Sequence, residues 1–108
     1  MMADAQPTAP LVAVADVPER RRFEASIEGE LAGFARYVRL PDRVVFTHTE
    51  VDPAFEGRGV GSALAKGALD AMREGQERIE ARCPFIAAYI KRHPAYADLL
   101  VPAKQVDP

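Results

Sequence analysis

Tryptophan is absent from this chain, cysteine occurs once and histidine only twice. The single Cys83 excludes an intrachain disulfide framework and any cysteine-rich zinc site. His48 and His93, without further cysteines, are too few for a His/Cys metal cage, so no metal is expected. An excess of one charge is missing as well: 14 Lys plus Arg stand against 16 Asp plus Glu, a net charge of −2. That balance argues against nucleic acid as a partner. No apolar run approaches the roughly twenty residues that a membrane span needs. Met1 to Pro10 has neither the basic start nor the long apolar stretch of a secretory leader. A soluble, cytoplasmic protein with no membrane partner is the expectation. What is present, 108 residues with 48% hydrophobic side chains, suffices for one domain with its own core and leaves no room for a second.

Met1 to Pro10 is rich in Ala and Pro and reads as a disordered tail, as does the stretch 102–108; residues 11–101 read as the single domain. From Arg21 to Ile27, Phe23, Ala25 and Ile27 alternate with Arg22, Glu24 and Ser26, the period of a half-buried strand. Glu28-Gly29-Glu30 is a tight turn. Leu31 to Leu40 reads as a second strand with a weak point or bulge at Gly33. After Pro41-Asp42, Val44 to Val51 reads as a third, rich in β-branched residues and Phe46. The short turns predict an antiparallel meander, with Phe34, Tyr37 and Phe46 in the core.

The period then changes. Val60, Leu64, Ala68 and Met72 recur every four residues, while Ser62, Lys66, Asp70 and Arg73 line the opposite face. This is an amphipathic helix of about four turns, ended by Gly75. Arg78 to Arg82 reads as a short fourth strand. Pro84 is suited to the first position of a second helix, Phe85 to Arg92, which Pro94 stops. The order β-β-β-α-β-α predicts a mixed α/β domain of α+β type: a largely antiparallel, four-stranded sheet with two helices.

Glu56-Gly57-Arg58-Gly59-Val60-Gly61 joins the third strand to the first helix. Glycines admit positive φ and let a ligand approach the backbone. The first amides of a helix lack intrahelical partners and carry the positive end of its dipole. A strand–glycine loop–helix junction is therefore an anion site suited to phosphate or pyrophosphate, and Arg58 adds a charged donor. No Gly-Lys-Ser/Thr follows, so this is not a P-loop. A dinucleotide fingerprint would follow the first strand of a parallel unit, not a meander. The bland alternative is a turn that merely reverses the chain, for which three glycines in five residues are more than is needed.

The run from Val51 to Leu64, Val-Asp-Pro-Ala-Phe-Glu-Gly-Arg-Gly-Val-Gly-Ser-Ala-Leu, resembles the acetyl-coenzyme A signature of GNAT-type N-acetyltransferases. Cys83-Pro-Phe-Ile-Ala-Ala-Tyr-Ile-Lys-Arg-His-Pro-Ala-Tyr-Ala-Asp98 is similar to the tail of a small, single-domain GNAT-like subfamily. The resemblance runs from Phe23 to about Leu100. It implies the acyl-CoA N-acyltransferase fold in a minimal version, with acetyl-CoA as cosubstrate. It also implies coenzyme contacts from Val51, Gly57, Arg58, Gly59, Val60, Gly61 and Ser62. Glu56 stands where the family has Arg or Gln, and its carboxylate is expected to face solvent. The helices that most members insert after the first strand, which build the acceptor site, are missing.

Transfer from a thioester to an amine needs a deprotonated acceptor, a polarised carbonyl and a stabilised thiolate. The resemblance implies a splayed gap beside the glycine-loop strand, where a backbone amide meets the carbonyl. On that strand His48 and Glu50 share one face, and Thr47 and Thr49 the other. Either His48 or Glu50 can take a proton, directly or through water; each is equally readable as an ordinary sheet residue. Cys83 precedes Pro84 at a helix start, a position that favours thiolate, and the resemblance puts this strand end near the thioester. It is a candidate nucleophile or acid–base group, or a small buried packing residue. His93, Pro94 and Tyr96 read as capping and packing, while the resemblance implies coenzyme contact by this tail; Arg20-Arg21-Arg22 reads as a solvated run. The expected activity is acetyl-CoA-dependent N-acetyl transfer to a small-molecule or protein amine, by a monomer or weak homodimer. The alternative is a non-catalytic acyl-CoA sensor or interaction module.

Overall fold

Alternating small and aromatic side chains make one face of a sheet that two helices cover. In this computed structural model residues 12–101 are described, and the tails expected at 1–10 and 102–108 lie outside them. The strands are β1 (Val12–Val17), β2 (Arg22–Ile27), β3 (Glu30–Leu40), β4 (Arg43–Val51) and β5 (Ile79–Ala81). The helices are α1 (Val60–Glu74) and α2 (Pro84–Arg92), and a 3-10 segment, Pro94–Leu99, follows α2. Pro84 occupies the start of α2 because its missing N–H costs nothing there.

Among the described residues the sheet has five strands in the order β1-β2-β3-β4-β5, not four. The first four are antiparallel, and β5 runs parallel to β4. The extra strand is β1, whose Val-Ala alternation includes no fully buried side chain. What defines it is pairing: six residues match β2 in unbroken register. Tyr37 adds a tie, its hydroxyl donating to Asp16 Oδ1 at 2.5 Å. Burial, then the bond to Asp16, pushes the Tyr37 phenol up to about 12.

Phe23, Tyr37 and Phe46 form the aromatic centre of the core, with ring centroids 5.6–6.2 Å apart. Val60, Leu64, Ala68, Leu69 and Met72 of α1 and Ile86, Tyr89 and Ile90 of α2 close over it. Phe34, expected with them, is on the other face. It is half-buried, with the Arg22 guanidinium 4.4 Å and that of Arg36 5.5 Å from its ring centroid. That other face also carries Glu80, buried between Arg43 at 2.9 Å and Arg82 at 2.6 Å. Both guanidiniums, Arg82 first, hold its carboxyl below the ordinary range.

Two bulges shape the ladder. Ala25 pairs with Gly33 but Ser26 with Leu31, so Ala32 is the extra residue beside the expected weak point. Gly33 is required for closeness: a Cβ there would lie 2.6 Å from the Glu50 carbonyl oxygen. In the second bulge Arg36 pairs with His48 and Tyr37 with Phe46, leaving Thr47 extra on β4. The parallel pairing of β4 with β5 then stops at Phe46 and Ala81. The amides of Arg82 and Cys83 both donate to the Phe46 carbonyl, at 3.0 and 2.9 Å, and the chain turns away into α2. Among the described residues no strand pairs with 47–51 on that side, so β4 and β5 splay apart. No helix among the described residues is long and apolar enough to cross a membrane.

Candidate functional site

The junction between β4 and α1 is built by one cap and two left-handed glycines. Asp52 Oδ1 accepts from the Ala54 amide at 2.9 Å and starts the turn Pro53–Phe55. Gly57 and Gly59 follow at φ +83° and +77°, where a side chain would be strained. A Cβ on either would meet nothing within 4 Å, so the space above the loop is open. Gly59 is the N-cap of α1 and has no side chain to satisfy the first-turn amides; that turn holds no acidic residue either. The positive pole of a 15-residue helix is thus uncapped at an open groove.

The groove measures about 330 Å³ and is lined by the loop glycines, Val51, Phe55, Val60, Ser62 and Phe85, with Glu56 exposed among them. Arg58 is exposed, its guanidinium 5.6 Å from the Phe55 ring centroid. These donors suit the phosphates of a coenzyme: backbone amides, an uncapped helix start and one mobile-length cation on the same loop. Gly61 differs from its two companions. Its backbone is helical, and a Cβ would stand 2.7 Å from Phe85 Cζ.

The three residues singled out for chemistry fall on two faces of β4. His48 Nε2 and Glu50 Oε1 lie 3.2 Å apart on the open face, with 58% and 62% of their side chains exposed. Cys83 is 2% exposed in the core, at the N-cap of α2, and its Sγ lies 3.2 Å from Thr49 Oγ1. His48 and Glu50 share a face as expected; Thr47 and Thr49 do not. The bulge resets the alternation, so that Thr47 is exposed with its hydroxyl donating to the Arg36 carbonyl at 3.4 Å, while Thr49 turns to Cys83. Arg82 does not approach Cys83, because its guanidinium is bound to Glu80 on the other face.

The tail of α2 is a packing device. His93 stacks on Tyr89 with centroids 4.0 Å apart, and its amide caps the helix on the Tyr89 and Ile90 carbonyls. Tyr96 donates to Asp70 at 2.7 Å, and Arg73 grips Asp98 at 2.8 and 3.0 Å, fastening the 3-10 segment to α1. Lys66, then Tyr96, holds the Asp70 carboxyl low. Of the basic run, Arg20 and Arg22 both bind Glu24 at 2.8 Å and pull its carboxyl down to about 2.

Thr49 and Phe85 are the site neighbours that sequence reasoning missed. Each makes its contact through a distant segment: Thr49 with Cys83, and Phe85, although it stands in the Cys83-Pro84-Phe85 run, with Gly61.

The family profile described as GCN5-related N-acetyl-transferase matches residues 22–99, which span β2 to the end of the 3-10 segment. Among curated proteins, Protein NATD1 of Mus musculus is 35% identical over 78 residues, covering 70% of this chain and 71% of that protein. Protein NATD1 of Homo sapiens is 35% identical over 77 residues, covering 69% and 68%. The fold is similar to the solution NMR structure of a GCN5-like protein of Staphylococcus aureus, with TM-score 0.61, 20% identity and coverage of 92% and 95%. It is also similar to a ribosomal-protein-alanine N-acetyltransferase of Brucella melitensis, with TM-score 0.55, 19% identity and coverage of 81% and 65%. The matched span includes the whole β4–glycine loop–α1 unit, and the chain belongs to the GCN5-related N-acetyltransferase family.

Proposed function

We propose that this protein transfers the acetyl group of acetyl-coenzyme A to an amine on a small molecule or a protein. The observation that carries the reading is the open loop at the uncapped start of α1, set beside the splay of β4 from β5. The amides of Val60, Gly61 and Ser62 and the Arg58 guanidinium hold the pyrophosphate. The acetyl-bearing arm passes Val51 into the splay. There, unpaired β4 backbone polarises the thioester carbonyl.

The acceptor arrives across the open sheet face as an ammonium and must lose a proton first. His48 and Glu50 are placed to take it through water, and their mutual contact orients the imidazole. The neutral amine nitrogen then attacks the carbonyl carbon and gives its second proton to water, the carbon–sulfur bond breaks, and the coenzyme leaves as thiolate; water also returns a proton to the group that quenches it. Cys83 acts here through Thr49: a buried thiol 3.2 Å from a hydroxyl suits proton delivery to the leaving sulfur better than open attack on the thioester.

The rival sensor reading is favoured by one fact, the solvent exposure of His48 and Glu50 on a face that no helix among the described residues covers. Calorimetry with acetyl-CoA and a thiol-release assay over an amine panel separate the two. Binding with amine-dependent release supports transfer, binding alone supports the sensor, and no binding overturns both.

A further inference from the structure

Phe85 occupies a seat that only glycine can leave open. A Cβ built on Gly61 would stand 2.7 Å from Phe85 Cζ and 3.3 Å from both Cε atoms, so a side chain there must displace the ring. The core does not explain the ring's position. Ile86, Tyr89 and Ile90 of α2 turn inward, whereas Phe85 is 37% exposed and lines the loop groove with Val51 and Phe55. The groove therefore joins two unlike surfaces: backbone amides that attract an anion, and apolar walls directly beside them. A fitting ligand has pyrophosphate attached to a branched apolar segment. Coenzyme A has this junction, since its pyrophosphate is followed by the gem-dimethyl carbon of the pantetheine half. Its nucleotide half, on the other side of the pyrophosphate, offers no such group.

We infer that Phe85, seated on Gly61, is a specificity-determining residue: its ring reads the pantetheine half while the loop amides read the phosphates. The inference rests on the coenzyme reading above. It also gives the third loop glycine a different duty from the first two. Gly57 and Gly59 serve the backbone, and Gly61 serves the ring.

Two probes test it, coenzyme A by calorimetry and 3′-phosphoadenosine 5′-diphosphate, the nucleotide half, by competition. In Phe85→Ala the affinity for coenzyme A should fall about tenfold, the scale of a lost aromatic wall, with the nucleotide half unchanged. Gly61→Ala should give the same selective loss, because the methyl evicts the ring. In the double variant the methyl enters space already vacated, so the loss should be no greater than in Phe85→Ala alone. Phe85→Leu keeps an apolar wall and serves if the alanine variant does not fold; its affinity for coenzyme A should be intermediate. Equal losses for both probes, or no loss for either, would overturn the role of Phe85. A further loss when Gly61→Ala is added to Phe85→Ala would mean that the methyl disturbs the phosphate-binding loop itself, and would overturn the seat. A wild-type chain that binds neither probe would instead remove the coenzyme reading, and this inference with it.

Discussion

Thr49 and Cys83 meet across the mouth of the splay, Oγ1 to Sγ at 3.2 Å, although 34 residues separate them in the chain. The contact joins the free end of β4 to the start of α2, on the face opposite His48 and Glu50. If this pair delivers the proton to the leaving thiolate, Cys83→Ala should retain coenzyme affinity while transfer falls about tenfold or more, the scale of a lost proton-transfer group. Thr49→Val, nearly the same shape without the hydroxyl, should show a smaller loss in the same direction. Coenzyme A should also protect Cys83 from alkylation. Full transfer in Cys83→Ala, in a folded protein, would return the thiol to packing.

Gly59 combines a left-handed φ of +77° with the N-cap position of α1. Gly59→Ala should cost about 1–2 kcal/mol of stability through backbone strain alone. Gly59→Val should in addition weaken coenzyme A by over about a hundredfold, through lost charge-assisted phosphate contacts of about 3 kcal/mol. Denaturant melts and calorimetry on the same variants separate the two effects. Unchanged affinity in folded Gly59→Val would remove the phosphates from this loop.

Much of this was legible beforehand because it is local. The β2–β4 meander follows from alternation, α1 from its four-residue apolar repeat, and the loop from its glycines at a strand-to-helix junction. β1 was not, since Val-Ala-Val-Ala has no strong inward anchor and becomes a strand only against β2. The bulge at Thr47 was equally hidden. An extra residue is extra only relative to Arg36 and Tyr37 across the ladder, yet it decides that Thr49 turns to Cys83. Phe34 reads in sequence like a core aromatic, because nothing local shows that the guanidiniums of Arg22 and Arg36 meet its ring on the other face. The seating of Phe85 on Gly61 joins two helices and has no local signature.

Acid should loosen the fold from its carboxylates. Glu24 drops from 4.5 to about 2 through its bonds to Arg20 and then Arg22. Asp70 and Asp98 are lowered by Lys66 and Arg73 respectively. A folded pKa below the unfolded one gives stability that is complete above the unfolded value and lost as pH falls through the folded one. The melting temperature should therefore decline as pH falls from about 4.5 towards about 2. Glu24→Gln should flatten part of that decline. A melting temperature constant across this window would contradict the assigned pairs.

Salt should weaken coenzyme binding, because the attraction of a pyrophosphate to Arg58 and the helix start is screened. Arg58→Ala should reduce that salt dependence without altering the melting temperature, since Arg58 is exposed and its guanidinium lies 5.6 Å from the Phe55 ring centroid. Calorimetry at two ionic strengths reads this directly. A salt-independent affinity in the parent protein would make apolar contacts the source of binding.

The most direct measurement follows the acetyl group itself. The chain is incubated with acetyl-CoA labelled in the acetyl carbon, together with a panel of small amines and lysine-bearing peptides. Label should pass into an amine as an amide, with one free coenzyme thiol released per amide formed, and transfer should be lost in Gly59→Val. Tight coenzyme binding with the label left on the thioester across the whole panel would contradict transfer and leave the protein a sensor of acyl-coenzyme A.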